Sequence, residues 1–167
     1  SYVTDKQKAS FAKHFESILE EDRHSQMQVL EVREVLELAM FEKAALNADE
    51  DDIEAMEKIY EQMEKNLNEK TGYGNLDLKL HMQIAKATHN DIFPILVHTL
   101  YESSGQRIML MEDMFPDSMK SIHRDHLGII EAIKRRDVKS VRKVGKRHFD
   151  VDRYMLLSMN ELEENPK

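Results

Sequence analysis

The chain has 167 residues and a net charge of −8, from 32 acidic against 24 basic side chains. A surface of that sign repels phosphates and argues against direct nucleic-acid binding; the lack of cysteine excludes disulfides and thiolate chemistry and fits a cytoplasmic protein. Only 5 Gly and 3 Pro punctuate a sequence rich in Leu, Glu, Lys, Met and Ala, a composition that favours helix through one domain with a sizeable core.

No apolar run is long enough to span a bilayer, and no signal-peptide pattern is present, so no membrane partner is expected. Residues 1–4, Ser1-Tyr2-Val3-Thr4, form a short β-prone stretch before a polar, helix-prone segment. Residues 8–21 read as a first, weak helix with Phe11, Phe15, Ile18 and Leu19 on one side. Residues 25–47 form a long, strongly apolar helix carrying Val29, Leu30, Val32, Leu36, Met40, Phe41, Ala44 and Ala45. Apolar residues on more than one of its faces predict a central helix with several neighbours. Arg33 lies among them and needs a partner. Either it forms a structural ion pair with a nearby Glu, or it holds an anionic ligand.

A turn at residues 47–50 leads into an acidic helix start, where carboxylates suit the positive end of the macrodipole. That helix continues through Ile53, Met56, Ile59, Tyr60, Met63 and Leu67. Thr71-Gly72-Tyr73-Gly74 breaks the chain before a helix whose inner stripe is Leu76, Leu80, Ile84 and Ala87. Asp77 and His81, four apart, sit one above the other on a neighbouring face, where both can reach one metal ion or polar ligand. Asn90 and Asp91 open the next helix, with Pro94 in its first turn. The polar, small-residue window at residues 103–107 either kinks that helix or lines a cavity. In the second case Arg107 is a weaker candidate anion contact; otherwise it is a solvated charge.

The sixth helix starts at residues 115–118 and carries Met119, Ile122, His126, Ile129, Ile130 and Ile133 inward. Asp137 is placed to cap the last helix, whose stripe is Val141, Val144, His148, Val151 and Met155. The expected fold is all-α, an antiparallel helical bundle of six to seven helices.

A lone core histidine is usually a packed, hydrogen-bonded side chain. The combination is what points to metal: His126 and His148 join the Asp77/His81 pair, and all three segments face inward. One carboxylate and neutral imidazoles suit a divalent transition metal, zinc first, with nickel, manganese or iron as alternatives. His14, His24, His89, His98 and His123 lack the pattern. No Gly-rich phosphate loop, nucleophile elbow or His-Glu-x-x-His is present, and no second acidic residue falls clearly beside the four ligands.

Glu31-x-Arg33-x-x-x-Glu37, Asp77-x-x-x-His81-x-x-Ile84-x-x-Ala87-x-x-Asn90, His126-x-x-Ile129-x-x-Ala132-Ile133-x-x-x-Asp137 and then His148 together resemble the FadR C-terminal-type (FCD) ligand-binding domain of GntR-superfamily transcription regulators. The resemblance runs from about residue 8 to 158; Leu80 departs from it, standing where members often have an aromatic residue. It implies a homodimer and a metal held by Asp77, His81, His126 and His148. It also implies a small carboxylate effector reaching that metal near Arg33. Residues 1–7 then read as the remnant of a linker and winged helix-turn-helix, 8–160 as the effector-binding and dimerisation domain, and 161–167 as a frayed tail. DNA would be contacted only through the missing N-terminal domain. The expected protein is not an enzyme but a sensor. A helical metalloenzyme using the same site, or a plain interaction module with structural histidines, are the competing classes.

Overall fold

The computed structural model describes residues 23–69, 72–102 and 113–164, with residues 10 and 111. The expected helix at 8–21, the stretch at 1–4, the window at 103–107 with Arg107, and residues 165–167 lie outside the described residues, residue 10 apart. Six helices are described: α1 (Arg23–Asn47), α2 (Glu50–Glu69), α3 (Tyr73–Lys86), α4 (Ile92–Glu102), α5 (Pro116–Lys134) and α6 (Val138–Glu164). Every regular element among the described residues is therefore helical, and the bundle is all-α. None of these helices is long and apolar enough to cross a membrane.

The helix ends follow local chemistry. The Asp52 amide donates to Asp49 Oδ1 at 2.9 Å and the Asp49 amide to Asp52 Oδ2 at 3.2 Å, a reciprocal cap at the start of α2. Asn90 Oδ1 accepts from the Ile92 amide at 3.0 Å to open α4. Asp137 takes the Ser140 amide at 3.0 Å to open α6. Gly72 enters α3 with φ of +61°, a conformation that suits a residue without Cβ, and delivers Tyr73 straight into the core. α6 continues to Glu164, taking in residues that the sequence reading assigned to a tail.

The first and last described helices run antiparallel. Glu34 pairs with Arg153, and Glu42 with Arg142 at 2.6 Å, so α1 and α6 lie in opposite senses. α1 touches α3, α4, α5 and α6, the central role its broad apolar surface predicts. Val32, one of its apolar residues, is nonetheless 54% exposed, on the outer side of α1. The inner stripes of α3 and α5 are buried as read, and they carry His81 and His126 into the same interior as His148 of α6.

Candidate metal centre

α3 contributes Asp77 and His81, α5 contributes His126, and α6 contributes His148. All four are buried, the three histidines at 1% exposure or less. One ring nitrogen from each histidine lies within 4.8 Å of the other two. His81 Nε2 and His126 Nε2 are 3.3 Å apart. Asp77 Oδ1 stands 3.1 Å from His126 Nε2 and 3.9 Å from His81 Nε2. The structure thus brings together all four residues that the sequence singles out as ligands.

The other ring nitrogens of His81 and His126 are held from behind. His81 Nδ1 meets Glu37 Oε2 at short range, and His126 Nδ1 is 3.2 Å from the Tyr73 hydroxyl. The same hydroxyl is 3.2 Å from His123 Nδ1, and the His123 ring stacks on Tyr60. His123 is thus a buried, packed histidine set apart from the cluster. Neither nitrogen of His148 has a hydrogen-bond partner among the described residues. A buried polar atom without a partner is costly. Three clustered imidazoles with a carboxylate beside two of them, and the far nitrogens of two rings supported, fit the donor set of a divalent metal.

The electrostatics agree with a centre that wants a cation. Burial alone would raise the Asp77 carboxyl; the His126 hydrogen bond and the neighbouring imidazoles hold it well below the usual carboxylate range. Burial opposes charge on His81, but Glu37 and Asp77 win and raise it above its usual value. Burial, reinforced by His126 and His81, keeps His148 neutral well below its usual value.

Two carboxylates beside the cluster correct the expectation that none would be there. Glu37 is fully buried and accepts from Arg33 Nε at 2.9 Å. Asp152 Oδ2 lies 3.9 Å from His148 Nε2 and 4.0 Å from Arg33 Nη2. Burial pushes the Asp152 carboxyl up to about 7, against the pull of Arg33. Each had a signal in the sequence: Glu37 is one turn after Arg33, and Asp152 is one turn after His148.

Arg33 is 6% exposed, and its guanidinium lies over the Tyr101 ring at 3.9 Å from the centroid. Both readings of this residue therefore have a basis: it is ion-paired to Glu37, and it also borders a cavity of about 50 Å³. Gln26, Asp77 and Asp152 share the polar side of that cavity; Leu30 and Met119 line the apolar side. A second gathering, Asp49, Asp52 and His89, sits at the surface, where the two aspartates cap α2.

Comparison with known proteins sets this geometry in context. The Uxu operon regulator of Haemophilus influenzae is 23% identical over 141 residues, covering 82% of this chain and 53% of the relative, so the chain spans about half that relative's length. The solved structure of E. coli McbR/YncC shares the fold, with a TM-score of 0.74 at 13% identity over 83% of this chain and 70% of that one. The FCD domain family matches residues 28–151. That stretch runs from the first helix of the bundle into the last and takes in Asp77, His81, His126 and His148, and by this match the chain belongs to the FCD domain family.

Proposed function

We propose that this domain is the effector-binding and dimerisation domain of a bacterial GntR-family transcription regulator. Asp77, His81, His126 and His148 hold a divalent transition metal, and a small carboxylate effector enters the cavity beside Arg33. The observation that carries this reading is the meeting of His81 Nε2, His126 Nε2 and Asp77 Oδ1, with His148, unpartnered among the described residues, next to them. The bound metal supplies a Lewis-acidic point for a carboxylate oxygen. The protein's own part is to present neutral imidazoles, to shield them from water, and to offer the Arg33 donors on the cavity wall. Effector binding biases the geometry of a homodimer, and through it the spacing of two DNA-binding heads outside this domain. The name of the Haemophilus relative, an operon regulator, supports a regulatory role over an enzymatic one.

Metal titration tests the reading. Protein purified without a His-tag and stripped by chelator is expected to bind zinc and to melt at a higher temperature once loaded. His126→Ala and His148→Ala should each lose most of that stabilisation, while His24→Ala keeps it. Equal metal-induced stabilisation in all four proteins would sink the assignment. A panel of small hydroxy and sugar acids, titrated onto loaded protein, then tests the effector class.

One observation favours a second reading. Asp152, with its carboxyl pushed up to about 7 at the edge of the cluster, has the placement of a general base for a helical metalloenzyme. Turnover of esters or oxidisable acids by zinc- or iron-loaded protein, abolished in Asp152→Asn, would replace the sensor reading with that one.

A further inference from the structure

We propose that Glu37 is a positioning residue: locked by Arg33 on one oxygen, it takes the Nδ1–H of His81 on the other and so fixes the His81 tautomer whose Nε2 lone pair faces Asp77 and His126. The inference rests on the metal reading above for its consequence, but its geometry is independent of it.

Glu37 is fully buried between two partners on different helices. Arg33 Nε donates to Oε1 at 2.9 Å, and Oε2 faces His81 Nδ1. Arginine is always charged and only donates, so Glu37 stays an ionised carboxylate, which only accepts. The ring nitrogen that faces Oε2 must therefore carry its hydrogen. In a neutral imidazole the hydrogen on Nδ1 leaves the lone pair on Nε2, the atom 3.3 Å from His126 Nε2. No other ligand imidazole is fixed in this way. His126 Nδ1 meets a tyrosine hydroxyl, which can donate or accept, and His148 has no hydrogen-bond partner on either nitrogen among the described residues. Glu37 does not border the cavity beside Arg33, so its effect is separable from effector contact.

Glu37→Gln inverts the arrangement at nearly constant volume. Arg33 Nε still requires an acceptor, so the amide oxygen turns to Arg33 and the amide NH₂ turns to His81. His81 Nδ1 must then accept, and the ring proton moves to Nε2, where it blocks coordination. The expected result is zinc affinity lowered roughly 10- to 100-fold, the usual size for losing such a partner. In ¹⁵N NMR of the metal-free protein at alkaline pH, the His81 proton should sit on Nδ1 in wild type and on Nε2 in Glu37→Gln. Zinc affinity equal to wild type, or a proton that stays on Nδ1, would overturn the proposal. Should Glu37→Gln fail to fold, the wild-type spectrum decides, because a proton on Nε2 there refutes the role of Glu37. Should wild type bind no zinc at all, the metal reading fails, while the spectrum still reports whether Glu37 sets the tautomer.

Discussion

Gly145 of α6 lies directly against Phe41 of α1. A Cβ on Gly145 would sit 2.8 Å from Phe41 Cδ2 and 2.9 Å from Leu38 Cδ2, closer than side chains approach. Both neighbours are buried, so neither can swing into solvent. The absent methyl lets the two longest helices meet, and that meeting brings Asp152 and His148 of α6 within reach of Arg33 and Glu37 of α1. Gly145→Ala would gain about 1 kcal/mol in helix propensity. Overpacking costs typically 1–3 kcal/mol, and more for a bulkier residue. Gly145→Ala is therefore expected to be mildly destabilised and Gly145→Val strongly so, with weaker metal uptake as α6 is pushed outward. Urea unfolding of the metal-free proteins checks the order; a Gly145→Val protein as stable as wild type would show that the helices can separate freely.

Arg33 is ion-paired to Glu37, and both are buried. Removing one partner of a buried pair leaves an uncompensated charge and costs about 3–5 kcal/mol. Arg33→Ala should therefore melt well below wild type with or without any ligand, which is the structural role the sequence left open. On the proposed function, its place on the cavity wall should add a separate loss of effector affinity in whatever protein folds. A double-mutant cycle with Glu37→Gln gives the first quantity directly. Additive losses in that cycle would mean the two side chains do not support each other.

The inward set of histidines was legible because each sits on a strongly periodic stripe, His126 between Ile122 and Ile130 and His148 between Val144 and Met155. Helix starts were legible from Asp49, Asn90 and Asp137, side chains whose chemistry is local. Glu37 was legible only as a partner for Arg33, one turn away; its contact with His81, and the place of Asp152 beside Arg33, were not, because each rests on a partner from another helix. The exposure of Val32 was not legible for a related reason: α1 is apolar on several sides, so periodicity could not say which side faces out.

Arg136 adopts φ of +55°, the left-handed position that ends α5, where glycine is usual. Asp137 N donates to Ala132 O and Arg136 N to Ile133 O, both at 2.9 Å, the two bonds of a Schellman ending. The arginine is kept by its head group, which donates to Leu46 O at 2.8 Å and Ala48 O at 3.1 Å, carbonyls at the end of α1. Arg136→Ala keeps the backbone strain and loses both bonds, for an expected cost of about 1–2 kcal/mol. Arg136→Gly loses the bonds but relieves the strain, so it should fall between wild type and Arg136→Ala in melting temperature. An alanine variant more stable than the glycine variant would show that the strain is negligible.

Metal uptake should depend on pH in a direction set by His81. In the metal-free protein Glu37 and Asp77 raise this imidazole above its usual value of about 6.5, so a proton competes with metal even above that pH. His148, held neutral by burial, has no proton to give up near neutrality. Acidification through the raised His81 value should therefore weaken apparent zinc affinity by about tenfold per pH unit, the slope for one proton released per metal. Below about 7 the Asp152 carboxyl also holds a proton in the metal-free protein, and the slope should steepen. The stability linkage has the opposite sign for His81. Its raised value stabilises the metal-free fold below about 6.5, and that contribution is lost as pH rises through the folded-state value. If the proposed metal binds, it should therefore stabilise the protein most at alkaline pH and least in acid. Calorimetric titration of zinc in two buffers of different ionisation enthalpy counts the released protons. A count of zero between pH 6 and 8 would mean that metal displaces a proton from neither His81 nor Asp152, and would overturn this prediction.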